Sequence, residues 1–346
     1  MLRLHGRQRV KLWRRDRRII MIPGRIFLTA GLLASIVCAA EPLRLEREIP
    51  MPGVEGRIDH LAADIKGNRL FVAALGNNTV EVLDLAAGKR AHSITGLHEP
   101  QGIAYLPEQN QIFVANGEDG KLKIFDGASF AQVGEADFSG DADNVRYDAR
   151  ANRVYVGYAS GALGVVDVKS GKKMGNVELE GHPESFQLEK SGSRIFVNVP
   201  TAQHLAVVDR GSLSVKDKWP MGGDRANFPM SLDESDGRLF VGCRKPAEVR
   251  VFDTASGKIA AAFNCVGDTD DLFWDAVVKC LYVTGGEGFV DVYGQQDADH
   301  YRRIARIPTG AGARTSLFVS EQKRLYVAVP HRGAQGAKVL VYASQP

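Results

Sequence analysis

The sequence has few cysteines and no motif for covalent haem attachment. Its four cysteines are Cys38, Cys243, Cys265 and Cys280, and no Cys-x-x-Cys-His occurs, which argues against haem of the c type. Only three of them follow residue 40, so at least one is unpaired within a monomer. An oxidising compartment would permit one disulfide, but the sequence does not select the pair.

The N-terminal apolar run is too short for a membrane-spanning helix. It extends from Ile26 to Cys38, whereas a helix that crosses a bilayer needs about 20 apolar residues. The run follows Arg25 and ends in small residues before Glu41, which is the pattern of a cleaved secretory signal. We therefore expect residues 1–40 to be a signal peptide, with Met21 as an alternative start, and the remainder to be periplasmic or secreted. If the signal were not cleaved, it would anchor the protein to a membrane.

Residues 41–346 have no basic run and no surplus of positive charge. The net charge of the whole chain is +3, but nine of its 44 Lys and Arg and only one of its 41 acidic residues lie in residues 1–40. The rest carries 35 basic and 40 acidic residues, a net charge of −5, which argues against nucleic acid as a partner. No strand–glycine-rich loop–helix pattern is present either, so a nucleotide-binding loop is not indicated.

What the sequence does contain is a phrase of four residues that recurs seven times. Its copies are residues 69–72, 111–114, 153–156, 194–197, 238–241, 280–283 and 324–327, at steps of 42, 42, 41, 44, 42 and 44 residues. The first copy reads Arg-Leu-Phe-Val, and the others are similarly β-branched, aromatic or aliphatic between turn residues, which is typical of strands.

A second strand-like segment follows each copy, and in the first repeat it comprises residues 80–84. Shorter apolar strands lie before and after each such pair. Each repeat of about 42 residues therefore contains four strands, here called a to d. Four-stranded units at this period indicate β-propeller blades, which cannot bury enough apolar surface alone and pack around a ring. We predict an all-β, seven-bladed propeller with four antiparallel strands per blade, in a single domain over residues 41–346.

The seventh repeat lacks its own strand d. Residues 43–50 (LRLEREIP) resemble residues 301–308 (YRRIARIP), which form the predicted strand d of the sixth repeat. We therefore expect residues 43–50 to supply the outer strand of the last blade and to close the ring.

The strand phrases resemble the YVTN-type β-propeller repeat family, for example in Leu281-Tyr282-Val283-Thr284. The resemblance covers about residues 57–346 and implies a seven-bladed, exported protein. It implies the fold more specifically than the function, because propellers host binding, hydrolysis, lyase chemistry and scaffolding.

Polar residues recur at two equivalent positions of the blades. Asp84, Asp126, Asp167, Asp209 and Asp253 follow strand c, where we expect them to cap turns. The segments that lead into strand a carry chemically richer residues, and these segments meet on one face of a propeller, at the mouth of the central channel. We predict a polar ligand site there, composed of Arg57, Asp59, His60, Gln101, Asp143, Asn144, Arg146, His182, Glu184, Arg225, Asn227 and Arg314.

Three functions fit this predicted site. Carboxylate and amide oxygens suit hard cations, so calcium or another divalent cation would be held by residues among Asp143, Asn144, Glu184, Asn227, Asp270 and Asp271. His60 or His182 would carry a proton in a hydrolase or lyase, which only the overall architecture of gluconolactonase-like and streptogramin-lyase-like propellers suggests. The third function needs the fewest assumptions: a monomeric binding or scaffold protein for an anionic small molecule, a peptide or a protein.

Overall fold

A computed structural model of the chain describes residues 41–345, so the predicted signal segment lies outside the described residues. Within the described part, seven antiparallel sheets of four strands each are arranged as blades, and the only helices are three short 3-10 turns, Leu75–Asn77, Pro200–Ala202 and Ser320–Gln322. This confirms the all-β, seven-bladed prediction. None of the helices in residues 41–345 is long and apolar enough to cross a membrane.

Apart from the first strand of the chain, which belongs to the last blade, the strands follow the chain in order, four to a blade. The first three blades consist of β2 (Leu61–Asp64), β3 (Arg69–Ala74), β4 (Thr79–Asp84) and β5 (Lys89–Ile94); β6 (Pro100–Leu106), β7 (Gln111–Asn116), β8 (Lys121–Asp126) and β9 (Gln132–Asp137); and β10 (Ala142–Asp148), β11 (Arg153–Tyr158), β12 (Ala162–Asp167) and β13 (Lys172–Glu178).

The other four blades have the same plan. They consist of β14 (Phe186–Leu188), β15 (Arg194–Val199), β16 (His204–Asp209) and β17 (Ser214–Pro220); β18 (Arg225–Asp233), β19 (Arg238–Lys245), β20 (Ala247–Asp253) and β21 (Ile259–Asn264); β22 (Thr269–Asp275), β23 (Cys280–Gly285), β24 (Phe289–Asp297) and β25 (His300–Pro308); and β26 (Ser316–Val319), β27 (Arg324–Val329), β28 (Lys338–Ser344) and β1 (Leu43–Pro50).

The first strand of each blade lies innermost. These strands contact one another in the order β2, β6, β10, β14, β18, β22 and β26, and β26 contacts β2 again. The ring is therefore closed, and residues that are far apart in the chain face a common axis.

The core lies between blades. Seven clusters of buried apolar side chains occupy the seven interfaces between neighbouring blades. In β3, Leu70 and Val72 pack toward the seventh blade, whereas Phe71 and Ala73 pack toward the second. Because successive strand residues point to opposite faces and both faces are covered, the recurring phrase is a continuous apolar run.

Strand β1 closes the last blade as predicted. It pairs antiparallel with β28, with Ile49 opposite Val339 and Leu43 opposite Ser344. Leu43 belongs to the core between the sixth and seventh blades, and Ile49 to the core between the seventh and the first. The N-terminal strand thus contributes to two blade interfaces as well as covering a sheet edge.

The turn-capping prediction is also confirmed. Asp84 accepts hydrogen bonds from the backbone amides of Ala86 and Ala87, at 2.9 and 2.8 Å. The other four aspartates bond the residues two or three positions later in the same way: Asp126, Asp167, Asp209 and Asp253.

The three cysteines of the described residues are buried and unpaired. Burial raises the pKa of the Cys243 thiol to about 12 and that of Cys280 to about 11. These thiols are therefore protonated at neutral pH and pack as small apolar groups.

Candidate functional site

A small, highly charged cavity lies where the segments leading into the inner strands converge. It has a volume of about 170 Å³, and each of the seven blades, or the segment that leads into it, contributes at least one lining residue. The lining residues are Arg57, Gln101, Asp141, Asp143, His182, Glu184, Phe228, Arg244, Asp270 and Arg314. We call this the mouth cavity.

Irregularities in strand pairing turn several of these side chains toward the mouth cavity. The pairing register shifts between Pro100 and Ile103, between Ala142 and Val145, between Asn227 and Met230, and between Thr269 and Asp271. The residues inside the four shifts include Gln101, Asp143, Phe228 and Asp270, which all line the mouth cavity. A bulge of this kind frees a residue from the ladder and re-aims its side chain, here toward the axis.

Gly102 allows two of these bulges to approach each other. A Cβ atom on Gly102 would lie 2.1 Å from the backbone oxygen of Asp143. Only glycine fits there, so the second and third blades meet closely at the mouth.

One side of the cavity carries guanidinium groups, each paired with a carboxylate. Arg57 donates to Asp59 at 2.7 Å, and Arg244 donates to Asp270 at 2.6 Å. Arg314 lies between two aspartates and donates to Asp268 at 3.1 Å. Since one carboxylate oxygen does not use all five donors of a guanidinium, each arginine keeps N–H groups for a ligand.

The ring of Phe228 orients Arg244. The guanidinium carbon lies 3.8 Å from the ring centroid, a cation–π contact that fixes the plane of the group. The Arg244 Nε also donates to the backbone oxygen of Thr269 at 2.8 Å. Arg244 is therefore held in place before any ligand arrives.

The other side of the cavity carries an imidazole and carboxylates. The Nδ1 atom of His182 lies 2.6 Å from the backbone oxygen of Ala159, and its Nε2 atom lies 3.6 Å from a carboxylate oxygen of Asp143. One nitrogen or oxygen atom from each of Asp143, His182 and Glu184 lies within 4.8 Å of the other two. These three residues come from two neighbouring blades.

Burial and charge shift the pKa values of these groups. Burial raises the pKa of Glu184 to about 8, and the nearby Asp143 and Asp270 add to the effect. Burial by itself lowers the pKa of His182, but Asp143 and the Ala159 carbonyl outweigh it and raise this pKa to about 9. At neutral pH and without a bound cation, His182 is thus charged and Glu184 mostly neutral.

A second charged layer lies further along the channel. The ring of His60 lies between Asp59 and Asp271, at 3.7 and 3.6 Å, and Asp271 accepts the backbone amide of Ser316 at 2.8 Å. His60, Asp271 and Arg146 line a different cavity of about 380 Å³. A still larger cavity, about 450 Å³, lies beside β1, away from the residues that converge at the mouth.

The structure brings together only part of the predicted site. Seven of the predicted residues line the mouth cavity: Arg57, Gln101, Asp143, His182, Glu184, Asp270 and Arg314. Asp59 accepts a hydrogen bond from Arg57. His60, Arg146 and Asp271 belong to the deeper layer.

Three predicted residues lie elsewhere. Arg225 is exposed and does not line the mouth cavity. Asn227 is buried, and its amide nitrogen donates to the side-chain oxygen of Asn198 at 3.0 Å, so it serves the interface between the fourth and fifth blades. Asn144 is also buried, and its side-chain oxygen has no hydrogen-bond partner among the described residues.

The sequence reasoning missed Arg244, Phe228, Asp141 and Asp268. Arg244 lies at the end of the second strand of its blade, in the connection to the third, which reaches the same face as the segments before the inner strands. The arginines of these connections were therefore the available signal. Phe228 could not be found that way, because a bulge rather than the sequence pattern turns it toward the axis.

Known structures agree with the architecture. A chain of a crystal structure of a mitotic checkpoint complex is similar with a TM-score of 0.75 and 14% identity, covering 98% of this chain and 99% of that one. A hydrazine synthase chain from Kuenenia stuttgartiensis is similar with a TM-score of 0.71 and 16% identity, covering 85% and 99%. No family model and no curated protein matches the sequence. At these identities the likeness establishes the fold alone, and the YVTN resemblance stays a prediction.

The mouth cavity is chemically suited to small charged ligands. Its volume of about 170 Å³ corresponds to roughly five or six water molecules at about 30 Å³ each. A drug-sized molecule needs about 300 Å³ or more. The cavity therefore fits an ion with its waters or an anion of a few heavy atoms.

Proposed function

We propose that the protein is a binding protein that holds a small anionic ligand at the mouth of its central channel. The observation that carries this proposal is the convergence of Arg57, Arg244 and Arg314 on one small cavity, from blades that are widely separated in the chain. Guanidinium groups recognise carboxylates and phosphates through paired, directional hydrogen bonds.

The arginines are held by other residues before a ligand binds, and this favours a binding role over a purely structural one. Arg244 is held by Asp270, Phe228 and a backbone oxygen before a ligand arrives, which lowers the entropic cost of recognition. The small volume of the mouth cavity favours a small molecule over a peptide enclosed within it. A peptide or protein ligand would have to present a carboxylate to the mouth from outside.

The setting of this function is also a proposal. The pattern of residues 26–40 supports an exported protein that works in a periplasm or outside the cell, and we propose that it does so as a monomer. The net charge of −5 over residues 41–346 argues against nucleic acid, so a small anion would be attracted by the local arginines and not by the net charge.

A cation-dependent hydrolase or lyase is the second candidate function. It is favoured by Asp143, His182 and Glu184, which offer ligand atoms within 4.8 Å of one another beside the arginines. The raised pKa of His182, about 9, argues against this ring as a general base at neutral pH in the metal-free protein, since an imidazolium has no free lone pair.

The binding proposal is tested by thermal shift with inorganic phosphate and a panel of small mono- and dicarboxylates. At least one of these anions should raise the melting temperature of the full chain. The double variant Arg244→Gln/Arg314→Gln should bind it at least about tenfold more weakly, as expected for the loss of two charged hydrogen-bonding groups.

Arg225→Gln is the matched control, because Arg225 is on the same side of its blade but is exposed and outside the mouth cavity. Its affinity for the anion should equal that of the unmodified chain. If no small anion binds, or if the double variant binds as well as the control, the binding proposal is wrong.

A further inference from the structure

We propose that Asp143, His182 and Glu184 form a three-ligand site for a first-row transition-metal dication such as zinc. The inference rests on the proposed function, since it places the metal in the same mouth cavity as the arginines. It adds a second ligand to that function, and it replaces the calcium expected from the sequence by a transition metal with His182 among its ligands.

The first step is that two acidic side chains of the cavity, Asp143 and Glu184, have no arginine or lysine partner. The mouth arginines are paired with Asp59, Asp268 and Asp270, whereas no Lys or Arg nitrogen of residues 41–345 lies within 4.0 Å of the carboxylate of Asp143 or Glu184. Asp143 is only 8% exposed, and its side chain lines the cavity without accepting any hydrogen bond from the described residues. Among residues 41–345, the cation beside this buried carboxylate is the His182 ring, at 3.6 Å, and a metal ion bound to both residues would supply the positive charge in place of the ring's proton.

The orientation of His182 is the second step. Its Nδ1 atom lies 2.6 Å from the Ala159 carbonyl oxygen, which can only accept, so Nδ1 carries the proton of this hydrogen bond. Nε2 is then the nitrogen that faces Asp143, at 3.6 Å. A histidine whose outer nitrogen donates to a backbone carbonyl is the usual arrangement of a metal-binding imidazole.

The spacing needs only a small contraction. Ligands at about 2.0–2.2 Å from zinc in tetrahedral geometry are roughly 3.4 Å apart, and the three candidate atoms already lie within 4.8 Å of one another. Rotation of the half-buried Glu184 and His182 side chains would supply the difference.

The donor set selects the metal class. Calcium takes six to eight oxygen ligands, but of the six carboxylates and amides expected to hold a cation, only Asp143 and Glu184 belong to this group. An imidazole with two carboxylates suits zinc and its neighbours in the first transition row. Three protein ligands also leave a coordination position for water or for the anion that the arginines would bind.

The test is a metal titration of the untagged, full-length chain after chelator treatment. Zinc is titrated against a chromogenic chelator, with calcium titrated in parallel. We expect one zinc per chain, bound at least tenfold more tightly than calcium. Asp143→Asn, His182→Gln and Glu184→Gln should each weaken zinc binding at least tenfold, and each should abolish the visible d–d absorption of a Co²⁺-loaded chain.

The matched controls are Glu118→Gln and His98→Gln. Glu118 and His98 form an exposed pair at 3.6 Å and do not line the mouth cavity. Both controls should bind zinc like the unmodified chain. A melting curve for each variant verifies that it is folded.

Three outcomes would overturn the inference: a chain that retains no zinc, folded ligand variants that bind zinc as the controls do, or calcium bound in preference to zinc. The Arg244→Gln/Arg314→Gln variant separates this result from the proposed function. It should keep its zinc stoichiometry while losing the anion. Anion binding by the chelator-treated chain without zinc binding would leave the binding function standing and refute the metal site.

Discussion

The recurring turn-capping aspartates and the aspartates that hold the mouth arginines have different kinds of partner. On the face opposite the mouth, Asp209 accepts the backbone amide of Ser212, three residues later in the chain. At the mouth, Asp268 accepts from Arg314, 46 residues later, and Asp270 from Arg244, 26 residues earlier. The first contact needs only a local turn, whereas the others exist only when the blades are arranged in the ring.

The comparison teaches where a function can reside in a repeat protein. A local cap can recur in every repeat without creating a site, because its hydrogen bonds are satisfied within the turn. Groups whose partners come from other blades are positioned by the closed ring, and they retain bonding capacity for a ligand. Loss of ring closure, a change of pH and single substitutions should therefore affect the turn caps and the mouth residues differently.

Loss of ring closure should have the largest effect. Deleting residues 43–50 removes the buried Leu43 and Ile49 from two blade interfaces and exposes the edge of β28. Ile49→Ala alone should cost about 2–5 kcal/mol of unfolding free energy, and the deletion should cost more. Both are measured by thermal and denaturant melts of the full chain.

The control for closure lies in the same strand. Leu45 is 45% exposed, so Leu45→Ala should change the unfolding free energy by no more than about 0.5 kcal/mol. A deletion variant that melts like the unmodified chain would mean that β1 does not close the ring.

A change of intermediate size is expected at alkaline pH, in the charged layer that lies deeper in the channel than the mouth. Burial by itself lowers the pKa of His60, but Asp271 and Asp59 outweigh it and raise the pKa from 6.5 to about 10. A raised folded-state pKa contributes stability that is fully present below pH 6.5 and is lost as the pH rises to about 10. The melting temperature should therefore fall by several degrees over this window.

The variant His60→Gln should reduce that alkaline decline, since it removes one of two rings that lose their proton in this window, the other being His182 with a pKa of about 9. His98→Gln, at an exposed histidine, should keep the decline of the unmodified chain. If His60→Gln and the unmodified chain lose stability in parallel between pH 6.5 and 10, His60 is not the group responsible.

The smallest effect on stability is expected for a turn-capping aspartate, and it should disappear at acidic pH. The Ser212 backbone amide, followed by the hydroxyls of Ser212 and Ser193, lowers the pKa of Asp209 from 3.8 to about 2. Its contribution is thus present above pH 3.8 and is lost as the pH falls to about 2. Asp209→Ala should lower the melting temperature by about 1–2 °C at pH 7 and leave binding at the mouth unchanged.

A difference that does not shrink as the pH falls to 2 would contradict this assignment, since about half of the Asp209 carboxylates of the unmodified chain are then protonated. Ser212→Ala provides the finer comparison. It removes the hydroxyl partner but keeps the backbone hydrogen bond, so its effect should be smaller than that of Asp209→Ala.

The repeats were sufficient to predict the fold, because each strand residue has an equivalent in six other blades. Residues 69–72 became the centre of β3, and the similarity of residues 43–50 to the outer strand of the sixth blade identified the closing strand. Both inferences depend on the period of the sequence and on side-chain alternation, which packing between blades enforces.

The mouth was predicted only in part, because the repeat gives a residue's position but not the direction of its side chain. The bulge between Asn227 and Met230 turns Phe228 to the axis and Asn227 into a blade interface. A shift of one residue exchanges the two faces of a strand, and nothing in the repeat marks where a bulge occurs. Arg244 lies near the end of the second strand of its blade, whereas the predicted site included only the segments before the inner strands.

The most direct test of convergence at the mouth is diffraction at the zinc absorption edge from crystals of the full chain grown with zinc and inorganic phosphate. We predict one anomalous peak about 2.0–2.2 Å from atoms of Asp143, His182 and Glu184, with phosphate density reaching Arg244. A peak on the outer surface, or a mouth without zinc or phosphate density, would contradict the account.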